Sequence, residues 1–147
     1  MIGVLNDVEK EEVLQRQHIG RLGVSDGERV FVFPLAYGYD GISAYFVSHE
    51  GLKVQIMRRR PRVCFQVDEI TSPSEWWSVM LFGEFEELTQ EAQRDAALDA
   101  ILNQVGAPSV SSMAPYVDGP EKIVIYRLRI TEKTGRFERS QVIAISR

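Results

Sequence analysis

The residues best suited to ligand chemistry in this sequence are 48–53, with the sequence SHEGLK. They join an apolar run to the predicted start of a helix, so Lys53 falls in the first helical turn. A cation opposes the helix dipole there unless an anion docks beside it. The free N–H groups of the turn, the Ser48 hydroxyl and the Lys53 ammonium together suit a phosphate. A solvated polar turn explains Ser48 and Lys53 equally well, and His49 is either a ligand contact or a loop histidine without a role.

Further cations follow this stretch, at Arg58, Arg59, Arg60 and Arg62. They either extend the positive surface of the site or form a solvated basic face. Elsewhere the usual catalytic signatures are absent: there is no Walker loop, no GxGxxG, no HExxH, no GxSxG and no CxxC. The single cysteine, Cys64, sits within a predicted strand, where an inert buried thiol is the better interpretation. The sequence therefore gives little support for hydrolysis by side-chain catalysis, and we assign no catalytic residue.

Composition excludes other classes. The 147 residues include 17 basic and 21 acidic side chains, a formal charge of −4, which argues against sequence-independent nucleic-acid binding. One cysteine and two histidines argue against a zinc cluster or a multi-histidine metal site. No apolar run approaches the roughly 20 residues that span a bilayer. With 44% hydrophobic and 26% charged residues, we expect one soluble cytoplasmic domain over 1–147, without a membrane anchor.

The apolar pattern predicts mainly antiparallel β-structure. Two Asp-Gly pairs, at 26–27 and 40–41, separate β-rich runs and predict a three-strand meander over 18–48. Further strands are predicted at 62–70, at 76–88 with a bulge or close-packing point at Gly83, at 122–132, and over 140–147 after a turn at 133–136. In the strand at 62–70, alternation sets Val63, Phe65 and Val67 on one face and Cys64, Gln66 and Asp68 on the other. Helices are predicted at 8–17 capped by Asp7, at 50–60, and at 90–105 capped by Thr89, and 109–120 forms a loop. We therefore expect a six-stranded antiparallel split β-barrel of the Greek-key type with a few peripheral helices.

The order of four segments carries a resemblance. GRLGVSD, VFVFPLAYGYDG, AYFVSHEGLKVQIMRRRPRVCFQVDE and WWSVMLFGEFEEL follow one another from residue 20 to residue 88. As an ordered set, this resembles the pyridoxamine 5′-phosphate oxidase-like, FMN-binding split-barrel superfamily, and within it the nitroimidazole-reductase (Nim-type) branch. The resemblance implies a homodimer with two FMN molecules in clefts between the protomers.

The resemblance also implies roles for particular residues. Pro34, Leu35 and Ala36 would run beside the isoalloxazine ring, and Val47 and Ser48 would lie near the ribityl chain or phosphate. Lys53 would bind the phosphate, and Ser78 would reach the flavin. Nim-type relatives often carry histidine where this chain has Val47, and His49, the only nearby histidine, is kept as a further cofactor-binding candidate. Many relatives carry Arg-Lys where this chain has Leu52-Lys53, so one phosphate contact is missing unless Arg58 or Arg59 replaces it.

The implied activity is that of an FMN-dependent oxidoreductase. A nicotinamide would reduce the flavin, and a small acceptor would then be reduced, as in nitro- or flavin-reductases. The arginine-containing C-terminal signature of true pyridoxamine phosphate oxidases is not evident, which argues against vitamin salvage. The alternatives are a non-catalytic binding protein for flavin, haem or deazaflavin on the same barrel, and an interaction dimer that has lost its cofactor.

Overall fold

The computed structural model describes residues 1–107 and 122–140. This part of the chain forms eight strands and three helices. The strands are β1 (Ile2–Val4), β2 (Ile19–Ser25), β3 (Val30–Ala36), β4 (Gly38–Tyr39), β5 (Ser43–His49), β6 (Arg62–Ser72), β7 (Glu75–Glu87) and β8 (Ile123–Glu138). The helices are α1 (Asp7–Arg16), α2 (Leu52–Arg59) and α3 (Glu91–Val105).

All strands belong to one antiparallel sheet, in the order β3-β2-β6-β7-β8-β5-β4, with β1 paired to the end of β8. β3 and β4 stand at opposite ends of this order, yet only Tyr37 separates them in the chain. The sheet must therefore curl until its two edges approach each other, which is the geometry of a split barrel. Six strands have seven or more residues, whereas β1 and β4 have three and two. The predicted fold class is confirmed.

The predicted three-strand meander over 18–48 is confirmed at its two Asp-Gly turns but wrong in its continuity. β2 pairs with β3 across residues 26–27, and β4 pairs with β5 across residues 40–41. The middle run is divided into β3 and β4, however, and β5 pairs along its length with β8 instead of β3. The apolar run breaks at Tyr37, which is fully buried and whose hydroxyl donates to the Leu14 carbonyl at 2.6 Å. That anchor turns the chain from one sheet edge to the other, which periodicity alone does not reveal.

The long β7–β8 ribbon differs from prediction at one end and agrees at the other. The predicted turn at 133–136 is wrong, because β8 continues to Glu138 and pairs with β7 as far as Trp76. The irregularity predicted at Gly83 is confirmed by a register shift between Phe82 and Gly83, in which the extra residue is Thr131 on the facing strand β8. A Cβ on Gly83 would lie 2.1 Å from the Arg129 carbonyl oxygen, so only glycine permits this approach.

The helix starts also differ from prediction. Asn6, not Asp7, caps α1: its side chain accepts from the Glu9 N–H, and the Glu9 carboxylate accepts from the Asn6 N–H, both at 2.9 Å. α3 begins after Gln90 instead of Thr89. The predicted loop at 109–120 and nearly all of the predicted strand over 140–147 lie outside the described residues. Of the helices in 1–107 and 122–140, none is long and apolar enough to cross a membrane.

The inner face of the sheet forms the main core. Alternating residues of β6 are buried there as predicted, and those of β7 alternate likewise. Phe65 lies at the centre of an aromatic cluster that also holds Tyr37 and Phe46. α3 packs on the other side of β5 over a second, smaller apolar cluster. The outer face of β3, β2, β6 and β7 is left without a covering element among the described helices.

Candidate functional site

The predicted anion site lies where β5 passes into α2. β5 ends at His49, and Gly51 is the N-cap of α2. No side chain caps this helix, and its first turn carries no acid. Because the first N–H groups of a helix have no partner within it, this turn presents backbone donors at the positive end of the helix dipole.

Lys53 stands in this turn as an unpaired cation. Its ammonium lies 5.5 Å from the centre of the Phe33 ring, and no carboxylate within 1–107 or 122–140 forms an ion pair with it. The side chain is partly buried, and this desolvation lowers the pKa of Lys53. A partly desolvated charge without a counter-ion is unfavourable by itself, so an anion bound here would recover part of that cost.

Arg58 does not replace the arginine missing at Leu52. Its guanidinium binds both carboxylate oxygens of Glu50 and reaches one oxygen of Glu87 at 2.7 Å. The Arg58 hydrogen bond holds the pKa of Glu50 below its ordinary value. Arg58 is therefore fully engaged by two carboxylates, while Arg59 is exposed and belongs to no ion pair in the described part of the chain.

The other β5 candidates have different surroundings. Ser48 is buried, and its hydroxyl donates to the Tyr126 hydroxyl at 3.4 Å. Burial raises the pKa of Tyr126 to about 12. Val47 packs against the apolar cluster under α3. The Nδ1 atom of His49 is buried without a hydrogen-bond partner among the residues described. Lys53 and His49 thus keep polar atoms without protein partners here, whereas Ser48 points its hydroxyl into the barrel.

The remaining candidates lie on β3 and β7. The register places Pro34 opposite Arg21 and Ser78 opposite Asp68, on the outer face of the sheet. Ala36 shares this face, and Leu35 packs into the core instead. Among the described strands β3 pairs only with β2, so no described strand occupies the backbone groups of its other edge. Phe33, whose ring lies beside the Lys53 ammonium, packs toward the core, whereas Pro34 points to the outer face, so Lys53 and Pro34 lie on opposite sides of this edge strand.

A polar network around Ser78 was not predicted. The Gln66 amide donates to the Ser78 hydroxyl at 3.0 Å and to Asp68 at 2.8 Å, and Arg21 binds the same Asp68 carboxylate at 3.2 Å. The sequence signal was the alternation of β6, which already set Gln66 and Asp68 on the face opposite the core. What the sequence lacked was the strand order that places β2 beside them.

The outer face also exposes apolar side chains, beside charged ones such as Arg62 and Glu84. Side chains of β2 and β3 are exposed on it, with 54% of Ile19, 74% of Val30 and 64% of Val32 accessible. Beside them runs a groove of about 510 Å³ lined chiefly by β2, β6 and β7, including Cys64 and Phe82. Exposed apolar surface beside a groove is typical of an interface with another molecule.

These features define an antiparallel split barrel in which Lys53, without an ion-pair partner among the described residues, lies beside the edge strand β3. Comparison with known proteins gives the family: the profile described as pyridoxamine 5′-phosphate oxidase matches residues 6–137. The chain belongs to this family, as its ordered segments predicted.

Two solved structures and one further relative are similar to this chain. A FAD-binding protein from Mesorhizobium loti is 30% identical, with 95% of this chain and 98% of that chain covered and a TM-score of 0.77. An uncharacterized protein of Rhizobium meliloti is 24% identical over 92% of this chain and 94% of its own length. A candidate 5-nitroimidazole antibiotic resistance protein from Bacteroides thetaiotaomicron is 19% identical, with 93% and 87% coverage and a TM-score of 0.74, and is similar in fold.

Proposed function

We propose that this protein is a homodimeric flavin-dependent oxidoreductase that binds FMN with its phosphate at Lys53. The main observation behind this proposal is the environment of Lys53. Its ammonium is partly buried, has no carboxylate partner among the described residues, and lies in a helical turn that no side chain caps. Backbone donors and one cation at a helix start suit a phosphate. Membership of the family and the FAD-binding name of the Mesorhizobium loti relative support a flavin.

The position of β3 supports the rest of the flavin site. In this proposal the isoalloxazine ring lies along the outer edge of β3, near Pro34 and Ala36, where no described strand pairs with the backbone. Ser78 and its Gln66 partner offer polar atoms on the same outer face. The apolar rim at Val30 and Val32 favours a second copy of the chain as the cover, so that the cofactor is enclosed between protomers.

Bound flavin supplies the capacity to accept a hydride from a nicotinamide and to pass electrons to a small acceptor. The chain holds the phosphate at Lys53, orients the ring along β3 and excludes water through the dimer contact. None of these roles requires a side chain to act as a strong acid or base, which agrees with the absence of catalytic signatures in the sequence. The buried Nδ1 of His49 is a candidate donor or acceptor to the cofactor.

The test is anaerobic reduction of the FMN-loaded protein by NADH or NADPH, followed by addition of nitroaromatic, quinone and free-flavin acceptors. Loss of the visible flavin absorbance and its return with an acceptor is the expected result. Bound flavin that no nicotinamide reduces would contradict the oxidoreductase and favour the non-catalytic carrier. Binding of haem or deazaflavin in preference to FMN would contradict the cofactor assignment.

A further inference from the structure

A salt bridge beside the proposed phosphate site has no role in the function described above. Glu50 lies between the end of β5 and Gly51, the N-cap of α2, so its carboxylate is on the same short turn as Lys53. A carboxylate at this position would repel a phosphate. Here Arg58, from the last turn of α2, reaches back to engage both oxygens of Glu50.

Arg58 is itself held from a second side. Its Nη2 atom lies 2.7 Å from a carboxylate oxygen of Glu87 at the end of β7, and 3.0 Å from Glu50. The backbone N–H of Glu50 donates to the Lys122 carbonyl at 2.7 Å, which ties the same turn to the start of β8. The turn before α2 is therefore fixed by one charged side chain and one backbone bond.

We propose that Arg58 is a positioning residue for the anion site, which holds the Glu50 carboxylate at the last turn of α2 and so keeps it from pairing with Lys53 in the first turn, where a phosphate would bind. This inference rests on the proposed function, since it concerns the same site. In this arrangement a single lysine serves the phosphate although position 52 is a leucine. The nearby Arg58 binds the carboxylate of Glu50 and does not contact the ligand. Arg58 is not a ligand contact in this account.

The test compares FMN with riboflavin, which lacks the phosphate, by fluorescence titration of the full chain freed of cofactor. In Arg58→Gln we expect FMN affinity to fall about fivefold, the effect of one partly screened charge. Riboflavin affinity should stay unchanged, and the loss of FMN affinity should shrink at high salt. Glu50→Gln/Arg58→Gln should restore FMN affinity to within about twofold of the native protein, because the repelling charge is gone.

Arg59→Gln is the matched control, since it removes a neighbouring exposed cation that engages no carboxylate within the described residues. Equal FMN affinity in Arg58→Gln and the native protein would overturn the inference, and so would a double variant as weak as Arg58→Gln. If Arg58→Gln does not fold, Glu50→Gln alone should bind FMN about twofold more tightly, and weaker binding would overturn the inference. A native protein that binds no flavin nucleotide would refute the proposed function instead.

Discussion

Replacing Lys53 with methionine isolates the charge on which the phosphate site depends. Methionine keeps an unbranched apolar stem beside Phe33 while it removes the ammonium. A hydrogen bond from a charged donor to an anion contributes roughly 1.5–3 kcal/mol. Since Lys53 is the only cation assigned to the phosphate, its loss should weaken FMN binding about 10-fold to 150-fold.

The assay is fluorescence titration of the cofactor-free protein with FMN and, in parallel, with riboflavin. Riboflavin affinity should change little, because the ring site on β3 is intact. Arg59→Met is the control for a lost cation on the same helix, and it should bind FMN almost normally. Unchanged FMN affinity in Lys53→Met would refute the phosphate assignment, whereas equal losses for FMN and riboflavin would indicate a general disruption of the cleft.

The pH dependence of this site has a definite sign. Burial lowers the pKa of Lys53 from its ordinary value of 10.5, so the ammonium is lost earlier as the pH rises than in an exposed lysine. FMN affinity should therefore decline in the alkaline range below that ordinary value. The stability of the cofactor-free protein should change in the opposite direction. Between the lowered pKa of Lys53 in the folded protein and its ordinary pKa in the unfolded chain, the unfolded chain binds more protons. The contribution of Lys53 to the free energy of unfolding therefore rises with pH in this range. Lys53→Met should lack both effects.

Three other predictions concern assembly and stability. Val32→Glu, on the exposed apolar rim, should convert a dimer to a monomer in sedimentation. Val8→Glu, on the exposed side of α1, is the control and should leave the dimer intact. A Val32→Glu protein that remains a dimer would contradict the shared cleft. Gly83→Ala should lower the free energy of unfolding by at least about 2 kcal/mol in urea denaturation, because its Cβ would meet the Arg129 carbonyl oxygen at 2.1 Å; a near-neutral value would mean that the bulge relaxes. Gln104→Leu should cost about 1–3 kcal/mol in the same assay, since its amide donates to three backbone carbonyls near the end of α1, and no loss would show that water replaces it.

The sequence predicted the local pieces well because they depend on local physics. The alternation of β6, the hairpin at Asp26-Gly27 and the bulge at Gly83 each follow from neighbouring residues. The pairing of β5 with β8 could not be predicted from neighbouring residues. It depends on the hydrogen bond that anchors Tyr37 to α1, which joins distant parts of the chain. The error at 133–136 has a similar cause: polar residues that suit a turn remain in strand because β7 supplies a partner along their length.

The candidate site divides in the same way. Lys53 was predicted from its position in a helical turn, and the structure places it without a counter-ion among the described residues. That Arg58 is engaged by Glu50 and Glu87 required the three-dimensional arrangement, because Glu87 is 29 residues away. The polar network of Ser78 likewise combines strands that are adjacent only in the sheet. The role of each candidate residue in binding a flavin remains a prediction.

The most direct test of the central claim is cofactor content and uptake. The freshly purified protein is examined by its absorbance spectrum, the cofactor is released by heat and separated by chromatography, and the cofactor-free protein is then titrated with FMN. We predict a yellow protein that releases FMN and rebinds one FMN for each chain. A colourless protein that does not take up added FMN would contradict the account, and release of FAD in place of FMN would contradict the choice of nucleotide.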